Sequence, residues 1–344
     1  MFVRPITGRD LSALKMLAEE AGVGFTSLHP HDDVLNRRIS CATASFSGQA
    51  SLSETDYLFV LELDSGEIGG CCAIIGAVGL DTPWYQYRLG LSVRHSERLK
   101  TNSNLTLMFL TNDLTGSTEI CSLLLSPKVR GLGVGRFLAK SRFLFMANFP
   151  YLFAERCIAE MRGCINERGI PPFWEAVGSH FFKTSFNDYD VLTSTGDRTF
   201  ISEMMLTHPL YLDMLPDAAR EVIGEVQADT LPALHMLESE GFKKSEYVDI
   251  ADAGPVMISH TKDIRSIQES RLYTVRHSEH ALEVTAPGAK IEGPQWMVAN
   301  THLQQFRVII TSQPPALDNT LALDEQHRRS LGINVEDTVR VVKL

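Results

Sequence analysis

The 344-residue chain lacks what several large function classes require. It has no surplus of positive charge: 32 Lys and Arg stand against 42 Asp and Glu, a net charge of −10. A nucleic-acid surface needs a basic stripe for the phosphates, so no nucleic-acid partner is expected. No apolar run reaches the length of a membrane span, and the opening Met1-Phe2-Val3-Arg4-Pro5 shows no signal-peptide pattern. The expectation is therefore a cytoplasmic protein with no membrane partner. The six cysteines, at 41, 71, 72, 121, 157 and 164, form no C-x-x-C pair. Sitting mostly inside apolar strand patterns, they read as small buried hydrophobes in a reducing compartment. Internal repeats and low-complexity segments are also missing. With 44% hydrophobic and 22% charged residues, what remains has the composition of a soluble globular protein.

The chain is organised around residues 119–147. Glu119 to Leu125 is an apolar run of buried-strand length, stopped by Ser126-Pro127. Then come Arg130-Gly131-Leu132-Gly133-Val134-Gly135 and a helix expected from about Arg136 to Phe149, with Phe137, Leu138, Leu144 and Phe145 on its buried face. Alternating glycines before a helix leave backbone N–H groups bare, and the positive end of the helix dipole adds to them, so the turn is an anion cradle. A P-loop is excluded, because Arg136 and Phe137 follow Gly135 where Lys and Ser or Thr are needed. A dinucleotide fingerprint is excluded by the G-x-G-x-G spacing late in the chain.

In chain order, Phe2 to Ile6 is a strand, and Asp10 caps a helix carrying Leu11, Leu14, Leu17 and Ala21, ended by Gly22 and Gly24. A helix is expected from Asp32 to Ala44; the preceding His29-Pro30-His31-Asp32-Asp33 reads as its capping loop, since no third ligand cluster is in view for a metal. Tyr57 to Leu63 and Ile68 to Val78 form a hairpin. Residues 79–100 are an insertion, and Arg156 to Met161 is a strand. Pro171-Pro172-Phe173-Trp174 opens a short helix. Thr230 to Phe242 reads T-x-P-A-x-x-M-L-x-x-E-G-F, a helix ending at Gly241 and feeding a strand through Val248 to Ile250. Residues 261–271 suggest a linking helix and 274–294 a polar loop. Strands at 296–299 and 306–311, a helix near 324–330 and a last strand at 339–344 make a small β-rich barrel or subdomain.

The turn R-x-x-G-x-G resembles the pyrophosphate loop of the GCN5-related N-acyltransferases. That resemblance implies an α+β fold, a mixed central sheet flanked by helices, with acyl-coenzyme A on the turn and its pantetheine arm along the preceding strand. The likeness narrows through Trp84-Tyr85-Gln86-Tyr87-Arg88, Asn112 to Ser117, Lys140 to Phe143, Ala159 to Gly163, Pro172 to Trp174, His208 to Tyr211 and Tyr247 to Ile250. Over nearly the whole chain these resemble bacterial arginine N-succinyltransferases. The resemblance implies an acyltransferase domain over 1–260, with family-specific insertions, and a linking helix plus β-rich subdomain over 261–344. It also implies succinyl-CoA as co-substrate without a metal, arginine or ornithine as acceptor, and a homo-oligomer or a pair with a related subunit.

By the same likeness Arg130, Gly131, Gly133, Gly135 and Arg136 hold the pyrophosphate, and Leu123 and Leu125 border the pantetheine. Residues 159–163 and 201–205 would be strands near the reacting centre. The family's proton-donor histidine corresponds to Gln227, at the end of Val222-Ile223-Gly224-Glu225-Val226. Glutamine donates hydrogen bonds but does not titrate. Leu237 stands where many relatives of the broad fold place a tyrosine. This departure opens a second reading: a catalytically weak or silent CoA-binding subunit paired with an active paralogue. The reaction itself needs a base for the amine, with Glu160 and Glu203 as candidates, each otherwise a solvated strand-edge residue. It also needs a cation for the succinyl carboxylate, for which Arg88 and Arg162 are candidates.

Overall fold

The computed structural model describes residues 1–21, 28–194, 198–205, 208–278 and 293–344. The helix end expected at Gly22 and Gly24 and most of the expected loop 274–294 lie outside these residues. Among the described residues, fifteen strands join one sheet. Strand β1 (Phe2–Pro5) precedes helices α1 (Leu11–Ala21) and α2 (Asp32–Phe46). Strands β2 (Asp56–Glu62) and β3 (Ile68–Ile75) form the expected hairpin. Both are buried almost from end to end, which is why their sequences are continuous apolar runs rather than alternating ones.

The insertion at 79–100 opens a second, longer hairpin, β4 (Gln86–Ser96) with β5 (Thr101–Thr111). Then follow β6 (Thr118–Leu125), helix α3 (Val134–Asn148), β7 (Arg156–Glu160), the short β8 (Leu210–Tyr211), β9 (Lys243–Val248) and β10 (Pro255–His260). In the sheet the order is β1-β2-β3-β6-β7-β10-β9-β4-β5-β8, so the β4–β5 hairpin leaves its sequence neighbours and docks on β9. A dense ring cluster joins α2, β2 and α3: Phe46, Tyr57, Phe59 and Phe145 lie with centroids 4.9–5.6 Å apart. Phe173, Trp174, Tyr189 and Ile201 join Tyr87, Met108 and Val248 in a second core, where Trp174 stacks on Phe182 at 5.7 Å and tilts against Tyr189 at 4.7 Å.

The chain's last quarter keeps the expected strands and helix but departs from expectation in its linker and its closure. The linking helix is only Arg265–Glu269, and Arg271 already opens a strand, β11 (Arg271–His277). With β12 (Trp296–Asn300), β13 (Val308–Thr311), β14 (Thr320–Leu323) and β15 (Thr338–Lys343) it surrounds a core that includes Val275, Val298, Leu321 and Val339. These strands do not close into a barrel. β13 pairs with β1 at Val3 and Val308, so the tail prolongs the main sheet.

Candidate active site

β6 and β7 are neighbouring parallel strands, yet their register holds for only two pairs, Thr118 with Cys157 and Glu119 with Ile158. Beyond Glu119 they part. The cause is local to β6: Ser122 has φ 51°, and the pairing with β3 slips so that Ser122 and Leu123 together face Cys72. Such a bulge bends its strand and raises its twist. The parted strands open onto a cavity of about 780 Å³, with residues 119–125 on one wall and Ala159 to Arg162 on the other. Along the opened stretch the β6 edge has no strand partner on the β7 side. It offers peptide groups to an extended ligand, as a sheet edge does to an added strand. Cys121 sits on this edge, but burial first, and the nearby Glu119, push its thiol up to about 12, so it stays protonated and is a poor nucleophile.

At the end of β6 the glycine turn takes the shape its sequence requires. Gly131 and Gly133 have φ 80° and 81°, a region that side chains rarely enter, and Gly133 is the N-cap of α3. A Cβ on Gly135 would come 3.1 Å from Leu125 Cδ1, so glycine there lets the helix approach β6 closely. Nε of Arg130 donates to the Leu125 carbonyl at 3.1 Å, fastening the turn to the strand. Arg130, Gly131, Gly133, Gly135 and Arg136 all border the cavity, as do Leu123 and Leu125. Bare helix N-terminal amides between two guanidinium groups suit a phosphate-bearing ligand.

The deep end is acidic. Glu119 and Glu160 face it, with Asp249 and Asp252 from the loop after β9. One oxygen of Glu160 accepts both from Trp84 Nε1 and from Gln86 Nε2, each at 3.0 Å. Burial, then Glu119 and Asp249, push the Glu160 carboxyl up to about 8; burial pushes Glu119 up to about 7. Asp252 rises to about 8 through burial and Asp249, although the backbone N–H groups of Gly163 and Gly254 donate to it at 2.7 and 2.8 Å. Among the described residues no group of three His, Cys, Asp or Glu could hold a metal ion, and no helix is long and apolar enough to cross a membrane.

Known proteins match this chain over its whole length. The family model for the arginine N-succinyltransferase beta subunit matches residues 1–266, and the model for that subunit's C-terminal domain matches 280–343. The chain belongs to the arginine N-succinyltransferase family. It is 44% identical to the arginine N-succinyltransferase subunit beta of Pseudomonas aeruginosa, and 43% to the arginine N-succinyltransferase of an Enterobacter species. Each comparison covers 100% of this chain and 98% of the relative. Among solved structures, the arginine/ornithine succinyltransferase subunit AI from Pseudomonas aeruginosa superposes with a TM-score of 0.88 at 32% identity, covering 99% of this chain and 98% of that one.

Within this arginine N-succinyltransferase family chain, Glu160 and Arg162 line the cavity together with the glycine-turn set; three other residues singled out from the sequence do not. Gln227 accepts from the Ile165 N–H through Oε1 at 3.0 Å, and its own N–H donates to the Arg162 carbonyl at 3.0 Å. It pins the segment after β7 instead of lining the cavity. Arg88 lies outside, about half exposed and 3.4 Å from Asp113. Glu203 is exposed on a helix, Thr199–Met204, where a strand over 201–205 was expected. The correction has a visible reason: Ile201 and Met205 are buried while Glu203 between them is exposed, and a strand would set all three on one face whereas a helix does not. Sequence reasoning passed over Glu119, Tyr189 and Arg198, all on the cavity wall. Glu119 could have been found as the one acid in an apolar strand; nothing in the sequence marks Arg198.

Proposed function

We propose that this chain transfers the succinyl group of succinyl-CoA to the α-amino group of L-arginine, with ornithine as the alternative acceptor, in arginine catabolism. The family membership supports an acyltransferase. One observation supports this chemistry most directly: the parted β6–β7 pair opening above a glycine turn at a helix N-terminus. We read the fold as that of the GCN5-related N-acyltransferases. The turn receives the pyrophosphate, and the unpaired edge of β6 receives the pantetheine amides, with Leu123 beside the thioester. The amine nitrogen attacks the thioester carbonyl carbon, the C–S bond breaks, and the nitrogen loses a proton. Glu160, with Glu119 beside it, takes that proton. Burial holds both carboxyls high; a cationic acceptor arriving beside them favours their ionised forms, so the acceptor helps to make its own base. The thiol, with a pKa of about 8.5, leaves as thiolate without needing full protonation.

Nothing specific favours the reading as a silent subunit. It rests on Gln227, whose side-chain oxygen is committed to the Ile165 N–H. Assembly with a second copy or with a related subunit belongs to the proposal, supported by the subunit names of the relatives. The test is thiol release on mixing the protein with succinyl-CoA and arginine. Release well above background is expected; none, from folded protein with coenzyme A bound, overturns the reading.

A further inference from the structure

Five arginines border the cavity: Arg130, Arg136, Arg142, Arg162 and Arg198. Arg130 and Arg136 stand at the glycine turn. Arg142 donates to the carbonyls of Ala139 and Cys121 at 2.9 and 3.1 Å, and Arg162 has an interaction of its own. Arg198 differs. Among the described residues its guanidinium has no carboxylate within ion-pair distance and no hydrogen bond; it lies over the indole of Trp84, 3.7 Å from the ring centroid. A stacked guanidinium is held by its face, which leaves its edge of N–H donors free for a planar anion. The indole is fixed in turn, because Trp84 Nε1 donates to Glu160. Arg198 is thus a braced, unpaired cation at the acidic end of the cavity, beside the carboxyl taken above as the base.

Both reactants carry a carboxylate that must be buried near that point: the free end of the succinyl chain and the α-carboxylate of the amino acid. A buried carboxylate without a cation is unfavourable, whereas a bidentate pair with arginine is among the strongest polar contacts. We propose that Arg198, braced on Trp84, grips one of these carboxylates and so sets the charge that a reactant must carry. This rests on the acyltransferase reading. Burial raises the neighbouring carboxyls Glu119 and Glu160 while the charge of Arg198 draws both down, yet neither comes within ion-pair distance of it. An uncharged reactant of equal size would cover the half-buried Arg198 and leave it without a partner, which is how a polar site rejects an isostere.

The experiment compares the parent with Arg198→Gln and Arg198→Lys, using succinyl-CoA against butyryl-CoA and arginine against argininamide. Loss of one charged hydrogen-bonded contact should lower kcat/KM on the order of 10- to 100-fold. The loss should appear only with the reactant that carries the gripped carboxylate, and Arg198→Lys should recover part of it. A fall with succinyl-CoA but not butyryl-CoA assigns the acyl carboxylate. A fall with arginine but not argininamide assigns the acceptor's. Equal losses with every pair, or no loss, overturn the inference. Failure of the parent to turn over any pair is instead a failure of the acyltransferase reading. Binding then decides: succinyl-CoA and arginine are titrated against indole fluorescence, with Trp84→Phe as the control. Affinity for one of them must drop in Arg198→Gln while plain coenzyme A binds unchanged; unaltered affinity for both overturns the inference as well.

Discussion

At the scale of single residues, the carboxyls of the deep wall make two kinds of prediction. If Glu160 takes the amine's proton, Glu160→Gln should lower kcat by roughly 10² to 10⁴. The parent's kcat/KM should rise with pH as this group, placed at about 8 in the free protein, ionises, and the variant should lose that limb; an unchanged profile assigns the base elsewhere. Stability responds with the opposite slope. Glu160, Glu119 and Asp252 keep their protons in the folded chain up to about 8, 7 and 8. In the unfolded chain such groups lose theirs near 4. Across that window the folded state binds more protons, so their contribution makes stability fall as pH rises. Thermal unfolding followed from pH 5 to 9 should show the decline, and Glu160→Gln should flatten it. A third residue is structural: Gln227→Ala removes one hydrogen bond to the Ile165 N–H and should cost about 1 kcal/mol in urea unfolding. Of these residues Glu160 was legible in the sequence, because a strand ending in an acid near a family motif stands out. Arg198 was not, because its meaning comes from Trp84, which lies far off in sequence and is brought beneath it only by the fold.

At the scale of elements, the strand, glycine turn and helix around residue 131 were legible almost to the residue, because that geometry is written in backbone preferences. Only glycine enters the turn's positive-φ positions easily. Gly133→Asp should therefore weaken coenzyme A binding by at least tenfold, since it strains the N-cap and sets a carboxylate in the anion cradle. Calorimetric titration measures this, and unchanged affinity would place the pyrophosphate elsewhere. The same helix is anchored by an ion pair whose two residues stand in quoted motifs that nothing in the sequence connects. Lys140, buried on α3, donates to the fully buried Glu240 at 2.9 Å, and Glu240 also accepts from Arg265 at 2.7 Å and from the Ser266 N–H at 2.8 Å. Lys140→Met leaves Glu240 with part of its charge uncompensated and should cost about 3 kcal/mol. Residues 201–205 were misread as a strand because five residues with two apolar ends fit either period, and the packing partner decides between them.

At the scale of the molecule, the sequence shows the order of elements but not their neighbours. The run of β1, two helices, a hairpin and β6 was readable from apolar periodicity and turns. That the β4–β5 hairpin docks on β9 through β4, and that the tail pairs back onto β1, depends on contacts between distant segments that leave no local trace. The tail's attachment also has a side-chain element, Phe306, fully buried with its ring 4.9 Å from Phe145 and 5.8 Å from Phe59. Phe306→Ala should remove roughly 3–5 kcal/mol. If the tail and the main sheet stand or fall together, a single unfolding transition will move; a new early transition would show that the tail melts separately.

The parted strands have a further consequence, in how the molecule breathes. A broad sheet is ordinarily most resistant to solvent at its centre, yet here the middle carries a seam closed by only two residue pairs. In deuterated water the seam-facing amides between Ile120 and Leu125 should exchange far sooner than those of β2 and β3 beside them. On loading with coenzyme A they should slow by orders of magnitude, as though a missing strand had been laid in. The ligand would then act as a fastener between the two halves of the sheet, raising the resistance to opening of both flanks at once.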